Sequence, residues 1–179
     1  VNLVIDGTNI TFDSLGAITH AYESTVSKTN ITIDGGTYIY RGNKSVFGYL
    51  GTASIKNAEV VLYGSAPASV FSIHTYKRNA AMTVENLKAI SLNKDAALFR
   101  FVSNGMDAGT GLSDYTYSLK LTNCAFSGIS LASSYTSLDT LTYTNVLSTN
   151  ENYLLAAYGG TAPADKALAF SSDTIGGYA

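Results

Sequence analysis

The 179-residue chain has a single cysteine, no tryptophan, two histidines and two prolines, and only 13% of its residues are charged. Each shortage closes a possibility. One cysteine, Cys124, permits no intrachain disulfide, and two histidines beside it give no zinc spacing. Eleven basic residues against 13 acidic ones leave a net charge of −2. That balance supplies no basic surface for nucleic acid or for an anionic membrane. The basic pair Lys77-Arg78 reads as a solvated turn. No apolar run is long enough to insert in a membrane as a helix, and no signal-peptide or lipidation motif is present. Phosphate-binding loops, dinucleotide fingerprints and a Ser-His-Asp order are absent as well. What remains is a surface made of Ser, Thr, Asn and 13 Tyr, with 16 Gly for turns. Such a composition suits many short strands. Length sets one domain, residues 1–179, with room for a sizeable core.

A repeat organises the chain. Leu3-Val4-Ile5-Asp6-Gly7 returns as Ile31-Thr32-Ile33-Asp34-Gly35, Ala53-Ser54-Ile55-Lys56-Asn57 and Met82-Thr83-Val84-Glu85-Asn86. Leu119-Lys120-Leu121-Thr122-Asn123, Leu141-Thr142-Tyr143-Thr144-Asn145 and a weaker Leu168-Ala169-Phe170-Ser171-Ser172 follow. The intervals run from 22 to 37 residues, the range of one solenoid turn. Two alternate apolar residues precede each corner, the signature of a half-buried strand. The corner itself is Gly7, Gly35, Asn57, Asn86, Asn123 or Asn145, with Ser172 last. Glycine and asparagine accept a left-handed backbone most cheaply, so the spacing predicts a sharp bend there. Stacked bends would let Asn57, Asn86, Asn123 and Asn145 bond to one another as a ladder.

A second short strand is expected after each corner: Ile10–Phe12, Tyr38–Tyr40, Val60–Leu62, Ala89–Leu92 and Ala125–Phe126. Turns are expected at Asp13-Ser14, Gly42–Lys44, Gly64–Pro67 and Asn93–Asp95, before third strands at Ala17-Ile18, Ser45–Phe47, Ser69–Ile73, Ala97–Val102 and Tyr153–Leu155. Three short strands per turn, with one sharp corner and two variable turns, describe an all-β fold: a right-handed parallel β-helix of six to seven coils. A β-sandwich would not repeat one corner chemistry at a fixed offset. Residues 103–116 form an inserted loop between the fourth and fifth copies, and 158–166 a smaller one.

The hydrophobic-x-hydrophobic-x-Asn/Gly corner, as in Ile31-Thr32-Ile33-Asp34-Gly35-Gly36-Thr37, resembles the coils of the pectate-lyase-like right-handed β-helix superfamily over most of the chain. The resemblance implies a scaffold shared by polysaccharide lyases, glycoside hydrolases, phage tailspikes and surface adhesins, so it carries a fold more than a function.

Two groups of residues are candidates for chemistry. Asp6 and Asp34 share an outward column one strand spacing apart, where a glycosidase pair or a calcium site could lie. The column continues Lys56, Glu85, Thr122, Thr144, which reads more simply as a charge and hydroxyl ladder. If Thr19–Tyr22 aligns with Ile73–Tyr76, then His20 and His74 share a column, Tyr22 and Tyr76 another, and Arg100 joins the histidines. Such a face could stack sugar rings and bond their hydroxyls, or simply pack. No metal ligand set is evident, and Asp107 and Asp114 in the inserted loop lack calcium-loop spacing. Cys124 reads as a small buried hydrophobe.

Neither end shows a capping helix, and the chain opens directly on strand-like Val1–Ile5. It reads as a segment of a longer protein or a matured product, with self-association or continuation expected at the open ends. The expectation is a non-catalytic extracellular or cell-surface module of bacterial or phage type, adhesin or fibre-like, with glycan as partner. The alternatives are a fragment of a polysaccharide lyase or glycoside hydrolase, and a phage tailspike-like segment.

Overall fold

The computed structural model describes residues 2–19, 30–64, 68–74, 79–92, 96–102, 117–132 and 140–148. Within them the chain forms strands and no helix. In order they are β1 (Asn2–Asp6), β2 (Thr11–Ser14), β3 (Asn30–Asp34), β4 (Thr37–Tyr40), β5 (Ser45–Leu50), β6 (Thr52–Lys56) and β7 (Glu59–Leu62). There follow β8 (Ser69–His74), β9 (Ala80–Glu85), β10 (Lys88–Ser91), β11 (Ala96–Val102), β12 (Tyr117–Ser127), β13 (Ile129–Ala132) and β14 (Thr140–Ser148).

Every pairing between these strands is parallel. Strands of one repeat do not pair with each other; each pairs with its equivalent in the next. The first strands run β1-β3-β6-β9-β12, with β14 beyond, and the second strands return as β10-β7-β4-β2. Because β12 belongs to both series, the two faces are one strongly curled sheet. The third strands form a separate sheet, β13-β11-β8-β5. This arrangement is consistent with a β-helix or solenoid.

The register places the repeat's apolar positions in columns. Leu3, Ile31, Ala53, Met82, Leu119 and Leu141 are successive partners, as are Ile5, Ile33, Ile55, Val84, Leu121 and Tyr143. Alternation turns both columns inward, from Leu3 to Leu119 and from Ile5 to Tyr143, and Ile33, Ile55 and Val84 are wholly buried. The second strands add Tyr38, Val60, Ala89 and Phe126 to the same core, and the third strands add Phe47, Phe71 and Phe99. Tyr38 ties the layers together. Its ring stacks on Phe12 at 4.8 Å and meets Phe47 edge-on at 4.8 Å, while its hydroxyl donates to the Gly35 carbonyl at 3.0 Å.

The corners are bent as expected at five positions. Gly35, Asn57, Asn86, Asn123 and Asn145 have φ of 79°, 55°, 51°, 53° and 52°. In the first repeat the left-handed residue is instead Asn9, at φ 60°, and not Gly7. Gly7 is required for a different reason: a Cβ there would lie 2.6 Å from the Gly35 carbonyl oxygen.

Other boundaries differ from the sequence expectation. Asp13 and Ser14 lie in β2 and not in a turn. Asp13 is held in the sheet by Arg41 of the next repeat, and the chain turns one step later, where Ser14 Oγ bonds Gly16. Ala17 and Ile18 form no strand where a third one was expected, and Thr19 beside them makes an isolated bridge to Phe47. β12 and β14 run straight through their Asn corners, because pairing on both sides of the bend continues the ladder. β13 was not expected at all. The seventh copy, the loops at 103–116 and 158–166, the turn at Asn93–Asp95 and the strand at Tyr153–Leu155 lie outside the described residues.

Candidate functional site

The acidic column is formed as the repeat dictates. Asp6, Asp34, Lys56 and Glu85 are successive register partners, and Glu85 is followed by Thr122 and Thr144. Adjacent strands bring Asp6 and Asp34 within roughly 5 Å in the backbone. Spacing alone therefore suits a carboxylate pair. The electrostatics point elsewhere. Asp34 Oδ1 accepts from Asn57 Nδ2 at 2.7 Å, and Oδ2 faces Lys56 Nζ at 3.1 Å. Those two contacts, the amide first, hold its carboxyl below the ordinary carboxylate range. Asp6 is also lowered, by hydrogen bonds from Thr8, including its backbone N–H at 3.1 Å. The neighbouring Asp34 charge pushes Asp6 the other way but is the weaker influence. A glycosidase pair needs one carboxyl raised so that it can donate a proton at neutral pH. Here both carboxylates, Asp6 exposed and Asp34 half-buried, are ionised acceptors of structural bonds.

Beside this column runs the asparagine ladder. Asn86 Nδ2 donates to Asn57 Oδ1 at 2.9 Å, and Asn145 Nδ2 donates to Asn123 Oδ1 at 2.9 Å. Asn57 in turn donates to Asp34, since Gly35 offers no side chain of its own. An ionised carboxylate only accepts, so Asp34 dictates which end of the Asn57 amide faces it. The Asn57 oxygen must then point to the next repeat, which fixes Asn86 as well. The ion pairs share that direction. Arg41, Lys56 and Lys88 each reach back one repeat, to Asp13, Asp34 and Glu59 at 2.8, 3.1 and 3.4 Å.

The proposed histidine and tyrosine face has a different register from the one expected. His74 is opposite Val102, and Arg100 is opposite Ser72, so Arg100 does not enter the His74 column. Thr19 bridges Phe47, which pairs with Phe71, so the segment before His20 aligns two residues earlier than Ile73. β8 and β11 keep one register from Ser69 opposite Ala97 to His74 opposite Val102, and the register shift of this sheet lies in β5, between Phe47 and Leu50. His20, Tyr22 and Tyr76 lie outside the described residues.

Sequence reasoning missed a second stacked corner. Leu15, Arg41, Tyr63 and Leu92 each follow a register-matched second-strand residue, and the last three donate their N–H back one repeat. Leu15 is 75% exposed, Tyr63 and Leu92 51% each. Arg41 bonds Asp13 through both Nε and Nη2, and its guanidinium lies 4.6 Å from the Tyr63 ring centre. Asp13 is consequently lowered and Arg41 raised. The recurring dipeptides Leu15-Gly16, Arg41-Gly42 and Tyr63-Gly64 were the available signal. A Cβ on Gly64 would sit 2.7 Å from the Gly42 carbonyl oxygen, so the backbones touch there.

Cys124 lies in the core, where its thiol donates to the Thr122 carbonyl at 3.3 Å, and burial pushes its pKa up. That is the chemistry of an inert thiol. Among the described residues no cluster of three or more His, Cys, Asp or Glu could hold a metal ion, and no helix is long and apolar enough to cross a membrane. The chain matches no known protein family, no curated protein and no solved structure.

Proposed function

We propose that the chain is a right-handed parallel β-helix of six to seven three-strand coils, related in architecture to the pectate-lyase-like superfamily. Its role is that of a non-catalytic extracellular module, the shaft of an adhesin or fibre-like surface protein that meets glycans. One observation carries this reading: the polar side chains with the geometry for chemistry are engaged in structural bonds, from one repeat to the next in every case but Asp6, which bonds Thr8 in its own repeat. Asp34, the best catalytic candidate, is anchored by Asn57 and Lys56 and lowered in pKa, the state of a strut and not of a proton donor. Charge-poor faces of Ser, Thr, Asn and Tyr suit hydroxyl-rich ligands without electrostatic steering.

Two assays on the same preparation decide the matter. A glycan array is expected to show binding. A reducing-end and unsaturated-product assay on pectins and host glycans is expected to show no turnover. Product release that Asp34→Ala abolishes would establish the carbohydrate-active enzyme instead. An array with no bound glycan would remove the ligand and leave a purely mechanical role.

A further inference from the structure

The second strands are buried on the side that faces away from the core. Tyr38, Tyr40, Val60, Leu62 and Ala89 belong to the core cluster. Alternation then turns Ile39, Val61 and Ile90, which are register partners, to the outer face. None of the three joins that cluster, yet Val61 is 1% exposed and Ile90 4%. Burial along this column is deepest in the middle. Asp13 at one end is exposed, Ile39 is half-buried, and Ser127 beyond Ile90 is half-buried again. The outer face of the first sheet gives the comparison: Ser54 and Thr83, beside Lys56 and Glu85, are half-buried and exposed. Long charged neighbours therefore do not by themselves bury a central outer residue. Every described strand belongs to one of the two stacked sheets, so none is left to lie over this face.

We propose that the outer face of the second strands is the docking site for this chain's own apolar run Tyr153-Leu154-Leu155-Ala156-Ala157-Tyr158, which lies outside the described residues. The inference rests on the stacked-repeat reading above and goes beyond its glycan role. Position favours this occupant. Residues 20–29, 75–78, 103–116 and 133–139 all lead from the third-strand side of one repeat to the first strand of the next, across the core from the second strands. Residues 65–67 and 93–95 are short and lead on to β8 and β11. The chain leaves β14 at Ser148, which partners Phe126, and Phe126 partners Ala89, and Ala89 partners Val60. Ile90 and Val61 therefore lie two and three strand spacings from that exit, about 10 and 14 Å. Length matches as well, since the polar residues 149–152 extend to about 13–14 Å. Composition agrees: none of the other segments carries an apolar run of this length. Two leucines set against Val61 and Ile90 remove apolar surface from water on both sides.

Thiol labelling of the 179-residue chain tests this, with circular dichroism confirming that each variant keeps its fold. Cys124 is buried and adds little background. Val61→Cys should react about tenfold or more slowly than Thr83→Cys on the open face of the first sheet. Leu154→Asp combined with Leu155→Asp should raise the Val61→Cys rate toward that of Thr83→Cys, because carboxylates do not stay against apolar side chains. A short bis-maleimide should join Leu154→Cys to Ile90→Cys within one chain, a readout that needs no comparison of rates. Equal rates for Val61→Cys and Thr83→Cys overturn the proposal, as does protection that survives both aspartates. A link from Leu154→Cys to Ser130→Cys in place of Ile90→Cys overturns it too, since the run would then be a third strand stacked on β13. A glycan array without signal leaves this test intact, and failure here leaves the module reading intact.

Discussion

Ile5 and Ile55 occupy one column and have the same side chain, yet Ile55 is wholly buried while Ile5 only packs against the rim of the core. The same contrast holds between Leu3, at 41% exposed, and Met82, at 2%. The two repeats share the alternation of inward apolar residues, although their corners differ, Gly7 against Asn57. What differs is the number of neighbours along the stack: among the described residues Ile55 has a repeat on either side and Ile5 has one. Stability in this molecule therefore depends on position in the series at least as much as on residue type, as expected where each unit touches only its neighbours.

The sharpest way to test that contrast is to truncate both ends of it. Ile55→Ala should cost about 2–5 kcal/mol in urea unfolding, a full transfer loss plus an unfilled cavity. Leu3→Ala should cost under about 1 kcal/mol, because much of the side chain already meets water. Equal losses would break the comparison.

A smaller effect separates the corner backbone from the corner side chain. Asn86→Ala loses the amide bond to Asn57 and also forces alanine to φ near 51°, so about 1–2 kcal/mol is expected from the backbone alone. Asn86→Gly keeps the bend and should recover most of that difference. If the two variants unfold alike, the bend is not what the asparagine secures.

The smallest effect is on pH. The Asp34 carboxyl is lowered by Asn57 and Lys56, so its contribution is complete above the unfolded value of about 4 and fades as pH falls through the lower folded value. The difference in melting temperature between the native chain and Asp34→Asn should stay constant from pH 7 to about pH 5 and narrow below about pH 4. Asp6 is lowered only by Thr8 within its own repeat, so Asp6→Asn should leave Lys56 and Asn57 untouched and serve as the control in the same column.

The first-strand columns were legible because three signals agree at each repeat: two alternate apolar residues, a fixed offset and a corner residue tolerant of positive φ. Asp6 opposite Asp34, and Lys56 opposite Glu85, follow from that alone. The third strand was not legible. It has no marker residue of fixed position, and the register shift at Gly48 and Tyr49 leaves no compositional trace. A two-residue difference in the alignment of β11 on β8 separates the expected column of Arg100 with His74 from the observed one, in which Arg100 lies against Ser72. β13 was missed because its turn is a single glycine, Gly128 at φ 65°, close against the Ser91 carbonyl, and not the polar run expected of a loop. The Arg41, Asp13 and Tyr63 group escaped because each member lies in a different repeat and only the register brings them together.

The one-way run of amides beginning at Asp34 also bears on how such a chain can grow. A duplicated unit placed between Asn57 and Asn86 would present an oxygen above and an N–H below, and so join the series without any new chemistry. Losing such a unit would be healed the same way. The number of stacked repeats is thereby uncoupled from the anchoring carboxylate, which is needed once however many are stacked upon it.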